Sequence, residues 1–460
     1  LQALAQEASL AYISAPSYAV ELNLDAVAAQ TEGFAALNGQ AWRSAGYDGS
    51  GVKIAIIDSS FGGYKSLLGS DLPANITVQN FVDGENNNDI GSSTSVHGTA
   101  CAEIAADIVP GASFYLIKIS TDLDLAQAVN YAISQGVDVI STSIGWYNVT
   151  PGDGSGYFDS LVKQARDKGI IWFTAGGNDR ENHWGGQFHD PDGDGFHNFS
   201  GAQEVNFYGP GNGGAFQIGP GTLISVFVRW DDWQVTNQDY VLYIGRWNGG
   251  TWEIVGSSDR PQNGFFGQRP TESVVGVTTG SSAPYGFFIY RKNSNRNVNL
   301  EIFSPKTDRL DKLVPDRSLP NMADAAHAVT LGALGSIQPY VLEEYSSLGP
   351  TNGPGGTASG GITKPDFAGY SDVSTESYGF RAFSGTSASA PHGAGAAALV
   401  LEAFPGYAAQ DVENFLAQQA KDKGAPGKDN VYGFGRLFLG DPPGTPPVLP
   451  FNNHLPAVIK

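Results

Sequence analysis

Ser387 stands near the start of SGTSASAPHGAGAAALVLEAF, Ser384 to Phe404, where a Gly-Thr-Ser turn runs into a segment made almost wholly of Ala, Gly, Leu and Val. A helix that is apolar on every side belongs at the centre of a fold. Its first turn would place the Ser387 hydroxyl where free backbone N–H groups and the positive end of the helix dipole converge. Pro391 fits early in such a helix and would interrupt it only further in. The plain alternative is a serine that merely caps a buried helix. A serine hydroxyl is a poor nucleophile unless an adjacent base removes its proton as it attacks. The choice therefore turns on whether a base, and an acid to orient it, exist elsewhere. A second grouping, DPDGDGFHN from Asp190 to Asn198, has the D-x-D-x-D-G spacing of a calcium loop. There Asp190, Asp192 and Asp194 would converge while Gly195 permits the turn. The twelfth position is Gly201 where an EF-hand has Glu, and Glu204 is the carboxylate at hand to replace it. A solvated acidic turn is the alternative, and zinc through His183, His189 and His197 is a weaker one.

Four ordered segments supply the rest. VKIAIID (Val52 to Asp58), VHGTACAEIA (Val96 to Ala105), FTAGGND (Phe173 to Asp179) and GTSASAP resemble the motifs of the subtilisin-like serine peptidases, the subtilases. The order Asp, His, Ser is the one that family uses. The resemblance implies that Asp58 orients His97, that His97 is the base for Ser387, and that Asn178 helps bind the oxyanion. An ordinary Asn-Asp turn is the alternative for Asn178. The resemblance also implies that Ser143, Ile144 and Gly145 pair with the substrate backbone as an added strand, and that Gly176 and its neighbours line the first specificity pocket. Trp146 stands where a small residue is usual, Ala100 replaces a second His, and Ser59-Ser60 replace Thr-Gly. These departures bear on substrate preference more than on chemistry. Ala388 follows the nucleophile where many relatives carry Met. His392, inside the apolar helix, reads as a packed core histidine.

Positioning such residues takes a scaffold. Val52 to Ile57, Ser113 to Ile119, Val137 to Ser143 and Ile170 to Ala175 read as strands, and Leu123 to Gln135 and Phe158 to Lys168 as helices. This alternation predicts a doubly wound, mostly parallel α/β sheet, subtilisin-like in the implied family. Function gathers at the carboxyl ends of such strands, where Asp58, Ser143 and Asn178 fall. Residues 190–317 break the rhythm with aromatic, alternating strands and an Asn248-Gly249-Gly250 turn, which predicts an inserted all-β sandwich or jelly-roll domain of unknown ligand. The expected organisation is an N-terminal arm over 1–22, a catalytic domain over 23–189 and 318–440 around the insert, and a Pro-rich linker over 441–460. The arm resembles the end of an inhibitory propeptide, with an ordinary extended arm as the alternative. Leu24 to Tyr47 reads as a helical lead-in.

Composition sets the outer bounds. Across 460 residues, 46 acidic against 26 basic side chains give a net charge of −20, which argues against nucleic acid or an anionic membrane as partner. No run approaches the roughly 18 to 20 apolar residues of a membrane span. Cys101 is the only cysteine, so an internal disulfide is excluded. The absence of an initiator Met and of a signal-peptide pattern at Leu1 reads as a processed or partial chain. The expectation is a secreted, calcium-binding serine endopeptidase of polypeptide substrates. The alternatives are a pseudo-peptidase that binds a partner through its insert, or a processing or ligating enzyme with one dedicated substrate.

Overall fold

The computed structural model describes residues 20–21, 30–305 and 309–444. The remainder of the proposed arm and lead-in, and residues 445–460 of the proposed linker, lie outside the described residues. Seven parallel strands form the central sheet in the order Phe367–Ser371, Val329–Gly335, Ile171–Ala175, Val139–Thr142, Lys53–Asp58, Ser113–Lys118 and Thr77–Asn80. The inner strands are near-continuous apolar runs because both of their faces are covered. Ile54 and Ile56 point into one apolar cluster with the helices His97–Ile108 and Thr386–Ala403. Ala55 and Ile57 point into the opposite cluster with the helices Asp122–Gln135 and Tyr157–Arg166. Helices on both faces of a parallel sheet make this an α/β fold.

Local sequence sets the element ends. Thr121 accepts a hydrogen bond from the Asp124 N–H at 3.2 Å, and the Asp124 carboxylate accepts one from the Thr121 N–H at 2.9 Å. This reciprocal cap starts one helix, and Gly136, in the left-handed region at φ 62°, ends it. Thr386–Ala403 is buried from Thr386 through Val400, as its lack of any polar face requires.

The chain leaves this sheet after Ile171–Ala175 and rejoins it at Val329–Gly335. Between them lie two four-stranded antiparallel sheets. One has the order Thr271–Val277, Leu223–Trp230, Asn299–Phe303, His183–Gln187, and the other Trp252–Ser258, Asp239–Trp247, Tyr285–Asn293, Asn206–Phe207. Both send side chains, among them Val226, Leu242, Phe287 and Ile302, into one apolar cluster. The first of these strands begins at His183, ahead of Asp190. At the 248–251 turn, Asn248 Oδ1 accepts from the Gly250 and Thr251 N–H groups at 3.0 and 2.9 Å. Elsewhere a two-residue strand, Val20–Glu21, pairs antiparallel with Ile144–Gly145. Among the described residues, no helix is long and apolar enough to cross a membrane.

Candidate active site

Asp58 ends its strand at the carboxyl edge of the sheet, fully buried. Its Oδ1 accepts from the Ser59 N–H at 2.8 Å. His97 opens the helix His97–Ile108, and its Nδ1 lies 3.0 and 2.9 Å from the two Asp58 oxygens. Only glycine fits next in line. A Cβ on Gly98 would fall 2.6 Å from the Asp58 Cβ and 2.5 Å from the Ser60 carbonyl, so this residue lets the helix start press against the strand end. Phe383 meets the His97 ring edge-on, with centroids 5.7 Å apart.

Ser387 is the second residue of Thr386–Ala403. Its Oγ donates to the Ser143 carbonyl at 3.2 Å, and its own carbonyl accepts from Ser143 Oγ at 2.9 Å. Cys101, one turn along the helix from His97, directs its thiol at the same Ser387 carbonyl, 3.7 Å away. Ligand atoms of Asp58, His97 and Cys101 all lie within 4.8 Å of one another. Asp58, His97, Ser143 and Ser387 therefore belong to one cluster.

Asn178 joins it through Thr386. The Thr386 N–H and hydroxyl both donate to Asn178 Oδ1 at 3.0 Å, and Thr386 Oγ1 accepts from the Gly177 N–H at 3.0 Å. With its acceptor end fixed, the amide turns its donor Nδ2 away from Thr386. The turn before the helix is held from below. Gly385 N–H donates to Tyr345 Oη and to Ser371 Oγ, both at 3.0 Å, and Ser384 Oγ donates to Asp372 at 2.6 Å. Ile144–Gly145 is the short strand that pairs with Val20–Glu21, and the Gly176 N–H is tied to the Leu331 carbonyl at 2.8 Å.

Two residues of this region were not singled out from sequence. Asp179, adjacent to Asn178, is buried and accepts from the Tyr147 hydroxyl at 2.9 and 3.2 Å. Burial pushes its carboxyl up to about 7, against the lowering effect of that hydrogen bond. Tyr147 in turn stacks on Phe227 at 4.9 Å and packs against Phe303 at 5.4 Å, both from the antiparallel sheets. No local motif links positions 147, 179 and 227, so only the fold could reveal this chain of contacts. Trp146 is buried against Phe158, centroids 4.9 Å apart, in the apolar cluster of the helix layer.

Oxygens of Asp190, Asp192 and Asp194 lie within 4.8 Å of one another. Asp190 accepts from the Gly193 N–H at 2.8 Å and pairs with Arg291 at 2.7 Å. The Glu204 carboxyl is pushed up by burial and then by the charges of Asp194, Asp192 and Asp190, which places a fourth acid near the loop. This is a set of hard oxygen donors of the kind calcium takes. The three histidines do not assemble. His183 Nδ1 faces the Val314 carbonyl and Nε2 faces Glu301, both at 2.7 Å, while His197 Nδ1 accepts from the His189 N–H at 3.0 Å. His392 sits at full burial between the Ala388 carbonyl and the Thr31 hydroxyl, 2.7 and 2.8 Å away, and burial holds its ring down to about 4.

The chain resembles known proteins in several ways. An extracellular serine protease of Serratia marcescens is 41% identical over 58 residues, 13% of this chain and 6% of that protein. Thermitase of Thermoactinomyces vulgaris is 31% identical over 156 residues, 30% of this chain and 51% of thermitase. The matched stretches thus span about half of one relative and a small fraction of the other. The solved structure of the CspB protease of Clostridium perfringens superposes with a TM-score of 0.59 at 15% identity, covering 89% of this chain and 97% of that one, which speaks to the fold alone. The model of the Subtilase family matches residues 49–435, a stretch that takes in Asp58, His97, Asn178 and Ser387, and the chain belongs to that family.

Proposed function

We propose that the chain is a secreted serine endopeptidase in which Asp58, His97 and Ser387 form the reacting triad. The observation that carries this reading is the buried contact of His97 Nδ1 with both Asp58 oxygens at 3.0 and 2.9 Å. It fixes the ring so that Nε2 is the atom that takes the Ser387 proton. Ser387 Oγ then attacks the scissile carbonyl carbon, and negative charge passes to the carbonyl oxygen. Asn178 Nδ2 and the Ser387 N–H, at the first turn of its helix, donate to that oxygen, each contributing about 3 kcal/mol. Collapse breaks the C–N bond, His97 returns the proton to the departing amine, and water releases the acyl group by the reverse sequence. Substrate enters as an extended strand on Ile144–Gly145, a reading supported by the chain's own Val20–Glu21 pairing there.

The two antiparallel sheets make up the inserted sandwich domain of this reading. Asp190, Asp192 and Asp194 would hold calcium at its base, where the ion would offset the repulsion of crowded carboxylates. A Serratia relative named as extracellular supports secretion. The test is labelling with a fluorophosphonate followed by peptide mapping. Label on Ser387 alone is expected, and label on another serine, or none, overturns the proposal.

A further inference from the structure

The turn that carries Ser387 rests on a pair of acids that neither the triad nor the oxyanion hole uses. Val373 and Phe383 are partners in a two-stranded ribbon, Val373–Thr375 against Gly379–Phe383. Asp372 and Ser384 flank that pair, and the 2.6 Å bond from Ser384 Oγ to Asp372 Oδ1 closes the ribbon. Base and nucleophile are both approached from there. Phe383 packs edge-on against the His97 ring, and Gly385 precedes the helix of Ser387. Asp372 is itself fixed: it lies in the left-handed region at φ 53°, and its carbonyl accepts from Ser336 Oγ at 2.8 Å. Glu343 reaches the same point along another segment. Its N–H donates to the Ala333 carbonyl at 3.0 Å, which lays residues 341–343 along the end of Val329–Gly335. A Cβ built on Gly335 would fall 3.1 Å from Glu343 Oε1, and Gly335 is the register partner of Ser371. The Glu343 carboxyl thereby comes into hydrogen-bonding contact with Asp372. Two carboxyl groups hydrogen-bond to each other only when one of them carries a proton.

We propose that Glu343 and Asp372 share one proton and act together as positioning residues: protonated Glu343 donates to Asp372, which holds Ser384 and with it the turn of Ser387. When that proton leaves, two like charges face each other and the prop slackens. Burial, and next the Asp372 charge, push the Glu343 carboxyl up to about 7, so the proton leaves within the working range of pH. Glu344 adds to the rise and Arg381 opposes it. Tyr345, which accepts from the Gly385 N–H, also feels both acids, and burial first of all raises its hydroxyl so that it stays neutral.

The inference rests on the peptidase reading, and one experiment separates the two. The rate at which a fluorophosphonate labels Ser387 is measured against pH in the parent, in Glu343→Gln and in Asp372→Asn. Either amide keeps a donor between the two side chains at every pH, and asparagine tolerates the left-handed backbone. The ratio of variant to parent rate cancels any titration common to both. It should stay near one at about pH 6 and climb to about tenfold by about pH 9, since a 1 Å misplacement can cost about 100-fold. A flat ratio in either folded variant overturns the proposal: at one the proton is idle, and below one the acids serve only the fold. Ser384→Ala removes the hydroxyl that couples Asp372 to the turn, so adding Glu343→Gln to it should leave the ratio flat. A ratio that still climbs there would place the effect elsewhere and overturn the coupling. Labelling that fails in the parent at every pH would remove the peptidase reading as well. Because two variants carry the same expectation, one that fails to fold leaves the other to decide.

Discussion

Among the described residues, two buried histidine–carboxylate pairs occur, one in each half of the architecture. His97 and Asp58 meet at 2.9 Å with both side chains fully buried, at the carboxyl edge of the parallel sheet. His183 and Glu301 meet at 2.7 Å, equally buried, within an antiparallel sheet. Geometry of the pair alone does not separate them. Their surroundings do. His183 commits its other nitrogen to the Val314 carbonyl, and Glu301 also accepts from Arg317 at 3.0 Å. Burial would raise the Glu301 carboxyl, but His183, Arg317 and Arg229 together hold it below its ordinary value. That pair is a closed charge network joining strands. Asp58 and His97 instead sit where a strand ends and a helix begins, beside Ser387 and the Cys101 thiol. An acid–base pair becomes a candidate for catalysis through what stands next to it.

Substitution can break or sharpen this contrast. The largest effect is expected at His97: His97→Ala should lower kcat by about a millionfold while leaving the folded state intact by circular dichroism. Glu301→Gln should do the opposite. Removing one member of a buried charge network costs about 3–5 kcal/mol of stability, read as a lower denaturation midpoint, with kcat of the folded fraction unchanged. A large fall in kcat there would mean that the second pair also serves the reaction, and the contrast would fail.

A smaller effect tests the acidic loop at the base of the insert. In the Ser387→Ala protein, which cannot digest itself, calcium at a hundredfold excess over its dissociation constant should add about 2.7 kcal/mol if it binds only the folded state. Asp192→Ala and Asp194→Ala should each remove most of the shift in thermal midpoint between calcium and chelator. Variants that respond as the parent does would make the loop a solvated turn.

The smallest effect concerns Asp179. Its ordinary value of 3.8 rises to about 7 in the fold. Between these values the folded state holds a proton that the unfolded chain has released, so stability falls as pH rises from about 4 to about 7. Asp107, raised to about 7 chiefly by burial, acts in the same direction. The readout is therefore the difference between two proteins. Asp179→Asn in the Ser387→Ala background should unfold with a visibly flatter dependence on pH over that window. Parallel curves would show that Asp179 does not titrate there.

The parallel sheet was legible because its strands are apolar on both faces and its helices carry caps. Expected strands at 52–57 and 170–175 lie within one residue of Lys53–Asp58 and Ile171–Ala175. Strong local signals also marked Ser387, His97, Asp58 and Asn178 as candidates, since each lies in a compact motif at an element boundary. What stayed hidden depends on contacts between distant segments. Thr386 fixes Asn178 across 208 positions, and Tyr147 reaches Asp179 and Phe227 at once. Trp146 drew attention as an unusual residue, yet its ring turns into the helix layer. Sequence gives the residue type at a position and not the direction in which it points.

The first and last strands of the antiparallel pair of sheets are direct neighbours, with His183 opposite Phe303. That adjacency bears on how the chain finds its fold. Val329 must come to lie beside Phe173 in the central sheet, and in an unfolded chain the intervening loop is long. Once the His183–Phe303 segment has formed, its ends are already together and the effective loop shrinks about fourfold, or two doublings, which lowers the closure cost by roughly 1.2 kcal/mol. We therefore expect pulsed hydrogen exchange to protect amides of Asn299–Phe303 before those of Val329–Gly335. Simultaneous protection would argue against this order. The excursion that interrupts the sheet in sequence would then act, in time, as the clamp that lets the sheet close.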